Sequence, residues 1–210
     1  MGLFIGNILT ERLLGKVGVL SSKEKILNEA IILFAEKGYP GLSMRQLATA
    51  ANISVAAIYH HFPDKNALYL DAIQYAFSGK ELVFARVWES EGTPEEKLAR
   101  FIRSLLEVMQ QDRNFHRLIQ REIMEADPER MQLLAQSVFN KQFCLLMQLA
   151  NELAPDQDAH LVATSIISLV KNYIEYQPLN KNFPGRKPEH EQPEVIAAHI
   201  TGLLLNGLKK

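Results

Sequence analysis

The chain has 210 residues, 47% of them hydrophobic, with a formal net charge of −1 and one cysteine, Cys144. A lone thiol excludes a disulfide within the chain, and no apolar run approaches the roughly 20 residues a membrane-spanning helix needs. The first 20 residues lack the basic segment and A-x-A-like site of a secretory leader, so a cytoplasmic chain is expected, with residues 1–20 as an N-terminal extension.

Ser21-x-x-Glu24 predicts a capping box, followed by Ile26, Leu27, Ala30, Ile31 and Phe34 at helical spacing and by Gly38, suited to a left-handed close. Ser43-x-x-Gln46 opens a second, short helix over about 43–50. Ser54 caps a third, which stops at Phe62-Pro63, and Asp64 caps a long fourth reaching about Ser90. Thr93-Pro94-Glu95-Glu96 combines a cap, a first-turn proline and two acids, and predicts a fifth helix to about Arg113. Asp127-Pro128 separates helices at about 115–126 and 128–153. An eighth runs from Asp156 to about Gln177, residues 177–193 read as a loop, and Pro193 begins a ninth, to about Leu208. No alternating stretch competes as a strand. The expected fold is all-α: a three-helix helix-turn-helix unit over 21–67, then a helical bundle over 68–210, about nine helices in total.

Residues 43–62, "SMRQLATAANISVAAIYHHF", carry the function. A short helix, a tight turn and a second short helix fit a motif whose second helix lies in the DNA major groove. Leu47, Ala48, Ala51, Ile53 and Ile58 have inward spacing, and the small Ala48 and Ala51 let the two helices cross closely. Residues 1–65 hold seven Lys or Arg against five acids (+2), and the rest holds 16 against 19 (−3), a weak asymmetry of the right sign for nucleic acid.

Residues 22–68 resemble the DNA-binding domain of the TetR family of transcriptional repressors. The resemblance rests on "FAEKGY" (34–39), "SMRQLA" (43–48) and "ISVAAIYHHFPDKNAL" (53–68). Farther on, "RLIQREIMEADPERMQLL" (117–134) resembles the CecR-type subgroup. The resemblance implies a homodimer that binds a palindromic double-stranded DNA operator and responds to a small-molecule effector. It implies that Ser43 and Ser54 cap their helices and touch phosphate, and that Arg45 reaches a base or phosphate. Val55, Ala56 and Ala57 would face base edges, while Tyr59, His61 and Lys65 would hold backbone phosphates. His60 reads as structural. Val and Ala at 55–57 offer no bidentate base contact, so specificity is expected to lean on Arg45, thymine methyls and DNA shape.

The effector site is expected among the bundle helices, lined by Trp88, Phe101, Leu105, Met109, Met124, Phe139, Phe143 and Met147, with Arg117 or Arg121 holding an acid group or pairing with Glu122 or Glu125. The eighth and ninth predicted helices carry more apolar positions than one buried stripe needs, among them Leu161, Leu169, Tyr173 and Leu203, which an intersubunit four-helix bundle explains. Adjacent helical residues point about 100° apart, so His60-His61 does not read as a metal site, and no cofactor is expected. Cys144 reads as a core thiol. Nucleophile elbows, zinc-protease helices and phosphate loops are all missing, which argues against an enzyme. The rival reading is a helical small-molecule-binding or adaptor protein without DNA function, favoured slightly by the near-neutral charge and the small side chains at 55–57.

Overall fold

The computed structural model describes residues 20–208, and the N-terminal extension lies outside them apart from Leu20. Among the described residues the chain is helical throughout, with no strand. Helix α1 (Ser22–Gly41) begins at the expected capping box: the Glu24 amide donates to Ser21 Oγ, and the Ser21 amide donates back to Glu24. It kinks at Gly38, whose φ of +73° and ψ of 172° are nearly exclusive to glycine. Helix α2 (Met44–Ala50) opens on the Ser43/Gln46 box, and Ser54 caps α3 (Val55–His61) by accepting from the Ala57 amide. Asp64 does the same for α4 (Lys65–Ser78) through the Ala67 amide.

The long fourth helix expected to reach Ser90 breaks here, and α5 (Glu81–Trp88) follows as a separate helix. The cause is tertiary. Lys80 Nζ donates to the Ala76 carbonyl at 2.7 Å and to Asp112 Oδ2 at 2.7 Å, which satisfies the end of α4 from a side chain instead of a further turn. Helix α6 (Pro94–Gln111) starts at the Thr93/Glu96 box with Pro94 in its first turn, and α7 (Arg113–Glu125) ends on Ala126 in the left-handed region. The predicted helix over 128–153 is resolved into α8 (Pro128–Leu134), a π-helical turn (Ala135–Phe139) and α9 (Asn140–Leu153). Helix α10 (Ala159–Glu175) leads through the single turn α11 (Gln177–Asn180) to α12 (Pro193–Leu208).

Helix α6 is central, packing on α5, α9, α10 and α12, while α1 packs on α4 and α7. One apolar core runs through all of this, from Ile26, Phe34, Leu47 and Ile58 to Leu106, Ile166 and Ile200. No described helix is long and apolar enough to cross a membrane.

Candidate DNA-facing surface and effector cavity

Helix α3 has seven residues, too few to be stable alone, so packing must hold it. Ile58 and Phe62 do so, both essentially fully buried. Their burial turns Ala56, Tyr59 and His60 outward together, at i, i+3 and i+4, with Tyr59 51% exposed. Val55 packs against the core, and Ala57 and His61 are half-buried. The exposed member of the histidine pair is therefore His60, not the His61 singled out from sequence. Arg45 and Ser43 are exposed at the start of α2, and Ser54 is exposed at the start of α3. Lys65 is half-buried, its Nζ 4.4 Å from the centre of the Tyr39 ring. Burial lowers its pKa from the usual lysine range, an effect that the Glu125 carboxylate opposes.

Behind this surface lies a polar knot. Glu122 is 1% exposed, a carboxylate inside the protein, and such a group requires partners. Arg130 Nε donates to both its oxygens, at 3.0 and 3.2 Å, and the Tyr69 hydroxyl donates to Oε2 at 2.6 Å. Arg130 also pairs with Glu125 at 3.0 Å and lies 4.2 Å over the Tyr39 ring. Burial, the largest single influence, lowers the Arg130 pKa, but the bond to Glu122 and the charges of Glu122, Asp127 and Glu125 together outweigh it and the net direction is up. Burial, reinforced by the bond to Glu122, pushes the Tyr69 phenol far up, so it donates at any ordinary pH. Sequence reasoning passed over Glu122 as a surface partner for a nearby arginine. A signal was present: at i, i+3 and i+7 it shares the stripe of Phe115 and Leu118.

Glu122 also contributes to the wall of a cavity of about 460 Å³, with Ile119, Ile123, Met131, Leu134, Ala135, Phe139, Asn140, Phe143, His160 and Thr164. Asn140, His160 and Thr164 are exposed and form a polar rim over an apolar interior. Of the ten residues expected at the effector site, only Phe139 and Phe143 line this space. Met124 is 78% exposed and Arg117 is exposed. Arg121 turns away: its Nε and Nη2 donate to the carbonyls of Ala35 and Glu36 at 2.9 and 2.7 Å, closing the end of α1. Phe101 and Met109 are core, with Leu105 and Met147 packed against it, and Trp88 Nε1 donates to Gln142 Oε1 at 2.6 Å. Cys144 is exposed, since Leu146, Leu149 and Ala150 define the inner face of α9. Among the described residues no group of His, Cys, Asp and Glu side chains could hold a metal ion.

A short helix, turn and second short helix joined to an all-helical bundle is the architecture of a class, the helix-turn-helix transcriptional regulators. The family model "Bacterial regulatory proteins, tetR family" matches residues 26–72, and "HTH-type transcriptional dual regulator CecR, C-terminal domain" matches residues 94–208, over half of the chain. The chain belongs to the TetR family, with a CecR-type C-terminal domain, and this is a family of regulators, not enzymes. It is 40% identical over 55 residues to the Biofilm operon icaADBC HTH-type negative transcriptional regulator IcaR of Staphylococcus aureus (strain Newman). That match covers 26% of this chain and 30% of IcaR, so the chain spans under a third of that relative's length. The fold is similar to the transcriptional regulator FadR from Bacillus subtilis, solved with stearoyl-CoA (TM-score 0.73, 17% identity, 87% of this chain and 97% of that one). It is also similar to AibR, solved with isovaleryl coenzyme A and operator DNA (TM-score 0.67, 22% identity, 88% and 98%).

Proposed function

We propose that the protein is a cytoplasmic, ligand-responsive repressor that binds a palindromic operator as a homodimer. Residues 21–67 serve as the DNA-contacting unit and 68–210 as the effector and dimerisation unit. The observation that carries the DNA reading is the outward stripe of α3, locked in place by Ile58 and Phe62. Val55, Ala56 and Ala57 approach thymine methyls. Arg45 reads a base or phosphate, while Ser43, Ser54, Tyr59, His61 and Lys65, joined now by His60, hold the backbone. Repression is supported by the negative regulation named for IcaR.

The effector is an apolar molecule, or one with an apolar arm, that enters between Phe139 and Phe143. The cavity wall holds no lysine or arginine to meet a carboxylate, since Arg121 is committed to α1, and Glu122 is the one acidic side chain among the lining residues. The acyl thioesters held by FadR and AibR suit this reading, because an acyl chain esterified to a carrier has lost its carboxylate. Dimerisation through α10 and α12 is supported by Leu161 and Leu203, 64% and 54% exposed. Such a dimer would space two α3 helices about 34–36 Å or somewhat more apart, for successive major grooves.

The test is selection of duplexes from a random pool, followed by binding of Arg45→Ala and Tyr59→Phe proteins to the enriched duplex. Weaker binding is expected of both. If Arg45 meets phosphate, its loss flattens the plot of log affinity against log salt by about 0.9. A pool that yields no enriched duplex overturns the reading in favour of the adaptor.

A further inference from the structure

The cavity and the DNA-facing helices share one residue pair. Glu122 contributes to the cavity wall, while its carboxylate is met by Arg130 and Tyr69. Arg130 sits one residue before Met131, another wall residue, and its guanidinium stacks on Tyr39. Tyr39 in turn packs edge-on against Tyr69, with ring centres 5.0 Å apart, and carries Lys65 Nζ at 4.4 Å. One ring therefore touches α8, α4 and, through the chain, the turn into α2.

Around that ring the end of α1 is held at three kinds of point. Arg121 takes the Ala35 and Glu36 carbonyls, Glu125 Oε1 accepts from the Tyr39 amide at 3.2 Å, and Arg130 takes the ring face. Gly38 is where this attachment leaves no slack. A Cβ there would stand 2.7 Å from Glu125 Oε1 and 3.3 Å from Arg121 Nη1. The same cavity wall includes Leu134 and, from the π-helical turn, Ala135 and Phe139, and such a turn is a place where a helix can re-register.

Resting on the effector-cavity reading above, we propose that Glu122 and Arg130 form the joint through which occupancy of the cavity reaches the DNA-facing helices, by way of Tyr39 at the end of α1. A molecule that displaces Glu122 or Met131 shifts Arg130 on the Tyr39 ring. The same ring bears Lys65, at the boundary between α3 and α4. These are positioning residues: neither contacts DNA.

The experiment uses the full chain and the uncharged apolar dye N-phenyl-1-naphthylamine as occupant. Dye fluorescence reports binding, and hydrogen exchange of amides over 36–62 reports the head. In the unsubstituted protein the dye should bind and change exchange at the Tyr39 amide by about five-fold or more, the lower end of ordinary coupling. In the Arg130→Lys protein, whose changed side chain lies outside the cavity wall, it should bind equally brightly with that response lost, and in Glu122→Gln the response at saturating dye should be lost whatever the affinity. Tyr69→Phe, which keeps the ring, serves as the second variant should either fail to fold, and is expected to halve the response or more. A dye that never binds overturns the cavity reading itself. Binding without any response over 36–62 overturns the coupling and leaves the cavity standing. An undiminished response in all folded variants overturns the assignment to this pair.

Discussion

Replacing Arg130 with methionine isolates what the buried ion pair contributes. The substitution keeps an unbranched side chain of similar reach and removes the charge. Glu122, 1% exposed, then keeps only the Tyr69 hydroxyl, while Glu125 and Asp127, with side chains 23% and 40% exposed, turn to water. The cost therefore concentrates on Glu122, and removing one partner of a buried pair costs about 3–5 kcal/mol. Loss of the cation over Tyr39 adds about 0.5–2 kcal/mol, against which a methionine sulfur on the same ring restores about 0.3–1.5 kcal/mol. A net loss of about 3–5 kcal/mol is expected from urea unfolding followed by circular dichroism, at one fixed protein concentration because assembly would contribute to stability. The triple variant Tyr69→Phe/Glu122→Leu/Arg130→Met removes the whole polar knot and should return to within about 1–2 kcal/mol of the original or exceed it. A single-variant loss below about 1 kcal/mol would refute the burial of this pair.

Gly38→Ala should cost about 1–3 kcal/mol by the same assay, since φ is +73° and the new Cβ meets Glu125; no change in the urea midpoint would mean that the kink is not glycine-dependent. His116 is expected to make stability fall with acid. Burial lowers its folded pKa below 6.5, so the unfolded chain binds the proton more readily as pH drops through about 6.5, and the loss grows until the folded pKa is passed. Thermal melts between pH 7.5 and 5.5 should show this fall, and His116→Gln should flatten it; equal slopes would remove His116 as the source. Cys144 should react with a thiol reagent in the native protein at a rate close to that in urea, and strong native protection would mean that its face of α9 is covered.

Features governed by neighbours in sequence were legible in advance. The capping boxes at Ser21, Ser43 and Thr93 join residues three apart, so their geometry needs only the local backbone. The helix-turn-helix was legible for the same reason, with its short helices and its turn through Asn52 in one contiguous run. The cavity was not, because helical spacing marks an apolar face without saying whether that face meets another side chain or a void. Phe101 and Phe139 look alike in sequence, yet one is packed into the core and the other borders the cavity. Arg121 looked like an anchor for an acid group because its partners, the carbonyls of Ala35 and Glu36, lie 86 and 85 residues away.

The amino-acid sequence alone thus determined an all-helical chain, its starts and stops, and the position of the DNA-facing helix, since hydrogen bonds and periodicity within a few residues decide all of these. Tertiary structure decided where α4 ends, through Lys80 and Asp112, and which of two adjacent histidines faces out, through the burial of Ile58 and Phe62. It also decided that Glu122 is an interior charge. Only packing brings Tyr69, 53 residues earlier, and Arg130, eight later, onto one carboxylate, and a charge survives out of water only where such partners converge.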